Sequence, residues 1–264
     1  MQLDRPGHLV AGAVDVNAAG DVLAVWRRDG VLYARIRTAT GQLLPPQRLG
    51  RMPFSRVVHA QLADDRRALV TWGSQVVDEG QAGTGFTPYA AIARHGRFGR
   101  AMRIGAVPVK GTGRYVTGPG VLGAFLPPGA ITLAWTGYSH GRFVVRAAVV
   151  HGTRLGSRQI ISDPARDTIL ADLAFAGDAL TALFTEGIRG ADPFPRDGRP
   201  QLAAATRPAG GTFGPPQQLS DDSENVDPTS PTLAANPANH NLTAAWRQLD
   251  RSTAPIRLST LPAD

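Results

Sequence analysis

Seven side chains stand out as able to do chemistry together: Asp78, Glu79, Arg114, Tyr115, Tyr138, Glu186 and Arg189. Carboxylates, guanidiniums and phenols gathered on one surface can hold the hydroxyls and charges of a glycan or of a polar protein patch. Glutamate is scarce, with Glu79, Glu186 and Glu224 as the whole supply, so most carboxylates available for acid–base chemistry are aspartates. The chain has no cysteine, which excludes disulfides, thiolate metal sites and thiol nucleophiles. Its six histidines show no paired spacing for zinc, and no Gly-x-x-x-x-Gly-Lys-Ser/Thr phosphate loop occurs. Neither a metal nor a cofactor is expected.

Three further patterns are read as structural. Gly137-Tyr138-Ser139-His140-Gly141 satisfies Gly-x-Ser-x-Gly, but a nucleophile elbow needs a strand before it and a helix after it. Here the strand-like FVVRAAV follows, so a hairpin-like connection is expected. Asp221, Asp222, Glu224 and Asp227 form an acidic loop that could hold Ca²⁺ through carboxylates. It lacks the spacing and central glycine of an EF-hand, and a solvated turn is the expectation. Asn241-Leu242-Thr243 is formally a glycosylation sequon, but it enters a stretch expected to be a buried strand.

Lys+Arg number 28 against 21 Asp+Glu, a net charge of +7. Lys110 is the single lysine, and the arginines scatter from Arg5 to Arg257 among aspartates. A nucleic-acid binder clusters its charge, so no nucleic-acid partner is expected and part of the basicity is read as GC-rich coding. No apolar run approaches the roughly 18 residues of a membrane helix. The opening MQLDRPGHLVAG lacks the basic and apolar regions of a signal peptide. A cytoplasmic protein, or a mature or truncated piece of an exported one, is the expectation.

The elements that must position the seven residues follow from a repeat. GDVLAVW, RRALVTW, GAITLAW and HNLTAAW end at Trp26, Trp72, Trp135 and Trp246, and DALTALF ends at Phe184 in the same slot. Each is preceded by a short apolar stretch and a Gly/Asp/Asn/Arg turn. Each is followed by a third stretch such as LYARIRT or QLAAATR, and in four of the five units a Gly turn then leads to a fourth stretch. Runs of four to eight β-formers bounded by turn residues read as strands, and no apolar period near 3.6 is sustained. The expected fold is all-β: a β-propeller of four-stranded antiparallel blades, five of them, at about 5–50, 51–105, 106–162, 163–220 and 221–264, in one domain spanning 1–264. The aromatics are expected in the core between blades. Gln2-Leu3 resembles the fourth-strand stretches Gln47-Arg48-Leu49 and Gln218-Leu219. It could complete the fifth blade and close a five-bladed ring; a fragment of a larger propeller is the alternative.

Thr206 to Phe213 reads T-R-P-A-G-G-T-F. This resembles the Asp-box of the sialidase-type (BNR-repeat) propellers, Ser/Thr-x-Asp-x-Gly-x-Thr-Trp. Thr206, Gly210, Thr212 and Phe213 match, while Pro208 stands at the aspartate position. The other units keep little beyond Gly41, Gly96 and Gly152. The resemblance implies an exported or cell-surface setting and, in its sialoside-cleaving members, an arginine triad with a Tyr nucleophile assisted by Glu and an Asp acid/base. The family's Arg-Ile-Pro motif is missing, with Arg103-Ile104-Gly105 its nearest counterpart, so no catalytic residue carries over.

Antiparallel alternation assigns the connections to two faces. Turns after strands one and three are short: 17–21, 63–67, 95–97 and 152–154. Connections after strands two and four are long: 73–87, 105–120, 186–199 and 220–229. Long loops on a rigid scaffold are where function sits, and all seven candidates fall on that side. The expected function is a non-catalytic scaffold binding a glycan or a protein through the long-loop face. The alternative is a sialidase-like glycoside hydrolase with a partial active site.

Overall fold

Short runs of Val, Leu, Ile, Thr and Ala between glycine and aspartate turns can bury one face only by stacking on a neighbour, and the chain folds accordingly. The structure, a computed structural model, describes residues 12–52, 58–76, 85–105, 120–126, 129–187, 200–221, 226–227, 230–236, 238–248 and 255–261. These form strands in five antiparallel sheets and no helix. The first sheet is β1 (Gly12–Val16), β2 (Val22–Arg28), β3 (Val31–Arg37) and β4 (Gln47–Arg51). The second is β5 (Val58–Leu62), β6 (Ala68–Val76), β7 (Gly85–Arg94), β8 (Arg97–Phe98) and β9 (Met102–Arg103). The third is β10 (Val121–Phe125), β11 (Ile131–Ser139), β12 (Arg142–His151), β13 (Arg154–Leu155) and β14 (Gln159–Ile160). The fourth is β15 (Thr168–Ala176), β16 (Ala179–Glu186), β17 (Gln201–Arg207) and β18 (Gln217–Gln218), and the fifth is β19 (Thr232–Ala235), β20 (Leu242–Arg247) and β21 (Ile256–Leu261). Each sheet is an up-and-down meander in chain order, the blade of a β-propeller.

Two blades split their fourth strand: β8 and β9 both pair with β7, and β13 and β14 both pair with β12. The break falls at Gly99 and Gly156, whose amides still reach the carbonyls of Ile92 and Val149 at 3.0 and 2.8 Å. A Cβ on Gly156 would lie 2.9 Å from that Val149 oxygen, so the close approach requires glycine.

Four of the five aromatics of the repeat pack backwards, onto the preceding blade. Trp72 sits among Leu32, Leu49 and Met52 of the first sheet; Trp135 meets Leu69, Ala90 and Ile104 of the second sheet and segment. Phe184 packs on Leu122 and Val145, and Trp246 on Leu183 and Leu202. All five aromatics are buried, none above 6% exposed. Trp26 has the same orientation on the rear face of the first sheet, stacked on Tyr33 at 6.0 Å. The expectation that these rings are core holds.

Polar ties repeat alongside the aromatics. Near the hub, Asp15 accepts the Leu62 amide at 2.6 Å, and Asp172 accepts the Leu233 amide at 2.8 Å, each reaching the first strand of the next blade. In mid-blade, the Thr71 hydroxyl donates to the Val121 carbonyl and Thr136 accepts the Leu170 amide, both at 3.1 Å. At the rim, the Gln47 amide donates to the Gly96 carbonyl and accepts from the Phe98 amide, both at 2.8 Å. Gln159 does the same to Phe213, at 2.6 and 3.1 Å. Phe213 closes the Asp-box-like stretch, so that stretch serves as the receiving half of an inter-blade clasp.

One expectation about loops changes and one holds. The 73–87 connection is partly strand, because β6 and β7 stay paired as far as Val76↔Gly85. Ser139 and Arg142 pair directly across His140-Gly141, both at positive φ (48° and 82°), the geometry of a two-residue hairpin turn. The Gly-x-Ser-x-Gly stretch is therefore a β-hairpin, as expected. The proposed pairing of Gln2-Leu3 lies outside the described residues. On the two end blades, Val14 and Val16 of β1 are 68% and 56% exposed, and Ile256 and Leu258 of β21 are 74% and 69% exposed. Their register equivalents Leu233, Leu62, Leu202 and Ala147 are buried between blades.

Trp72→Ala is expected to lower stability by about 3–5 kcal/mol through the cavity it leaves. Gln159→Ala should cost about 1–3 kcal/mol by orphaning the Phe213 backbone. Chemical unfolding followed by tryptophan fluorescence measures both.

Candidate functional site

The long-loop end of the third and fourth blades gathers the described polar side chains that sequence reasoning favoured. Thr168 at the start of β15 pairs with Glu186 at the end of β16, and Glu186 pairs with Gln201 at the start of β17. Strand direction alone therefore brings residues from three separate segments to one end. The connection from β14 to β15, Ser162-Asp163-Pro164-Ala165-Arg166-Asp167, folds over them. Asp163 starts it by accepting the Ala165 amide at 2.8 Å, an Asx turn favoured by the following proline.

Glu186 is buried at this end. Its Oε1 accepts the Asp163 amide at 3.2 Å and its Oε2 lies 3.8 Å from Arg166 Nη1. Arg166 also donates to Gln201 Oε1 at 2.6 Å and lies 3.8 Å from Asp163. Burial pushes the Glu186 carboxyl above the usual carboxylate range; the Asp163 amide and Arg166 oppose this, and the Asp163 charge adds to it. Asp167, also buried, accepts the Phe143 amide at 2.8 Å, and its carbonyl accepts the Gly187 amide at 2.9 Å. Phe143 in turn takes the Tyr138 ring edge-on, with centroids 5.6 Å apart. Tyr138 and Glu186 are thus joined through Phe143 and Asp167.

Of the seven candidates, the structure places Tyr138 and Glu186; Asp78, Glu79, Arg114, Tyr115 and Arg189 lie outside the described residues. Asp163, Arg166, Asp167 and Gln201 were missed. The Asp-Pro turn signature between a fourth and a first strand is the signal that could have found the first three. In the acidic loop, Asp222 and Glu224 lie outside the described residues. Asp227 is buried, ion-paired with Arg247, and its amide donates to the Arg247 carbonyl at 2.8 Å. That aspartate ties two segments of the fifth blade together and is not part of a solvated turn. Ser139 Oγ lies 3.1 Å from His140 Nδ1 on the exposed hairpin, the geometry of neighbours in a turn.

No protein-family model matches the chain, and no curated protein matches it. Among solved structures it is similar to the GH93 α-L-arabinofuranosidase of Fusarium graminearum in complex with arabinobiose. The identity is 9%, the TM-score 0.52, and the match covers 94% of this chain and 80% of that one. A mutant of the α-L-arabinofuranosidase Arb93A from the same fungus is 7% identical with TM-score 0.50, over 96% of this chain and 93% of that one. The polysaccharide lyase Uly1 is 10% identical with TM-score 0.52, over 97% of this chain and 58% of that one. The chain thus spans less than two thirds of the lyase, and likewise 62% of an α-L-arabinanase from Penicillium chrysogenum. At such identities the likeness concerns the fold, and the fold is shared by proteins that act on glycans by different reactions.

Glu186 and Asp21 should respond to pH with opposite signs. The folded Glu186 carboxyl titrates above its unfolded value, so its contribution is largest in acid and is lost as pH rises through the folded value. The Asp21 carboxylate is held low by Arg66, whose Nε donates to it at 2.8 Å, and by the Ala39 amide at 2.7 Å. Its contribution is present above the unfolded value and lost as pH falls through the folded one. Glu186→Gln should leave stability at neutral pH unchanged or raised, while Asp21→Asn should lower it there and converge on the parent in acid. Urea unfolding from acid to neutral pH checks both.

Proposed function

We propose that this chain is a non-catalytic β-propeller that binds a glycan on its long-loop face. Tyr138 and the Glu186 cluster form the described part of that surface; the other candidates, Asp78, Glu79, Arg114, Tyr115 and Arg189, lie outside the described residues. One observation carries the non-catalytic half. The described carboxylates at this end are engaged in holding the backbone: Asp163 on the Ala165 amide, Asp167 on the Phe143 amide, Glu186 on the Asp163 amide and Arg166. A glycosidase needs two carboxyl groups facing the space a sugar occupies. The preference for a glycan over a protein ligand draws on the solved neighbours, whose names are those of glycan-active proteins.

The rival reading is a glycoside hydrolase of sialidase type with a partial site. Glu186 favours it in one respect: a buried carboxyl held toward its protonated form, beside a guanidinium, is suited to donate a proton. Only Arg166 of a would-be arginine triad meets it among the described residues.

A glycan array followed by calorimetry tests the first reading. We expect saturable binding of at least one glycan, weakened about fivefold or more by Tyr138→Ala. Fluorogenic sialosides and α-L-arabinofuranosides should show no turnover. Turnover abolished by Glu186→Gln would overturn the reading in favour of the hydrolase.

A further inference from the structure

The opposite end of the same two blades carries a cleft that none of the seven candidates touches. Its volume is about 330 Å³, the lower end of the range for small-ligand pockets. It opens between the third and fourth blades on the short-loop side, where β11 begins and β12 and β17 end.

Strand alternation determines what faces it. Ala134 of β11 and Val145 and Ala147 of β12 pack toward the fourth blade, so Thr132 and Val149, two positions away, share that face. On the fourth blade, Leu180 packs toward the third, and its register partner is Arg207, whose side chain therefore faces the cleft. Arg207 Nε donates to the Gly211 carbonyl at 2.7 Å, which fixes the guanidinium against the turn carrying Phe213. Phe213 is held by the Gln159 clasp, and Arg158, next in sequence, is exposed at the mouth. Among the described residues, no carboxylate lines the cleft.

Thr132 supplies an independent observation. It is 1% exposed, and its hydroxyl has no hydrogen-bond partner among the described residues. A buried hydroxyl without a partner is costly unless something else satisfies it. Two guanidiniums, an unsatisfied buried hydroxyl and an apolar wall of Ala147, Val149 and Phe213 together describe one kind of ligand. It carries an anionic group, hydroxyls and a hydrocarbon face.

We propose that this cleft binds a single acidic sugar unit, its carboxylate between Arg158 and Arg207, a hydroxyl on Thr132 and its C–H face on Phe213. The anion and the hydroxyl are read from the cleft itself. The choice of a sugar among hydroxylated anions rests on the glycan-binding reading above.

Calorimetric titration of the whole chain with D-glucuronate, D-glucose and inorganic sulfate is the test. Glucuronate should saturate one site, with glucose and sulfate each about tenfold weaker or more, since a charge-assisted contact or its loss is worth that much. Arg158→Ala, an exposed position, should weaken glucuronate about tenfold. Thr132→Val should weaken it severalfold and at the same time raise the unfolding midpoint, because the variant removes an unsatisfied hydroxyl. A merely structural threonine would not move the two in opposite directions. Equal binding of glucose, equal binding of sulfate, no saturation, or an Arg158→Ala variant that binds like the parent would each overturn the proposal. The site lies at the opposite end from Tyr138, so a failed glycan array and a failed glucuronate titration are separate results.

Discussion

The structure depends on one packing arrangement: an aromatic ring on the second strand of the second to fifth blades, laid backwards against the preceding blade. A four-stranded meander of this size has two faces and cannot bury either alone. The ring fills the volume that opens between two twisted sheets splayed around a hub. Trp72 shows how tight the fit is, since a Cβ on Gly50 in the blade behind would stand 3.2 Å from its Cζ2. The ring is nonetheless a non-directional filler. Among the described residues the Nε1 atoms of Trp72 and Trp246 find no partner, so the slot asks for an aromatic filler, and Phe184 serves in the fourth blade with no such hydrogen bond to give up.

Direction comes from the polar ties. Hydrophobic contact sets how close two blades sit, but not their register. The Asp15 and Asp172 carboxylates, the Thr71 and Thr136 hydroxyls and the Gln47 and Gln159 amides each seize a backbone group of the next blade, at hub, mid-blade and rim respectively. The first-to-second and third-to-fourth interfaces each carry two of these ties at different radii, which fixes the angle between those blades. The hub itself is narrow. His59 of the second blade, held toward its neutral form by burial, feels the charges of both Asp172 from the fourth and Asp15 from the first.

This division explains what was legible in the sequence. The period of the aromatics and the β-rich stretches before and after them are short-range signals, and they yielded the strands, the five units and the buried rings. The ties are long-range: Gln159 is one of many glutamines until Phe213 arrives beside it from the next blade. The loop reading suffered from the same cause. Nothing local in Ser74-Gln75-Val76 says that it will continue a ladder with Gly85-Phe86-Thr87, because register is decided by the strand opposite. Tyr138 and Glu186 were found by residue type and by alternation of faces. Asp163, Arg166 and Asp167 were passed over because they look like an ordinary turn, which they also are.

The turn from Thr206 to Phe213 is braced by its backbone and by one arginine, since Pro208 has no polar side chain to offer it. Gly210 adopts a φ of 67°, the Gly211 amide donates to the Pro208 carbonyl at 3.1 Å, and Arg207 grips the Gly211 carbonyl. The neighbouring blade uses the end of this turn: the Phe213 ring, buried in the core, and its backbone, held by Gln159. Arg207 and the exposed Arg158 both line the cleft between the third and fourth blades, so an anion placed there would meet one guanidinium already braced by the turn and one at the open mouth.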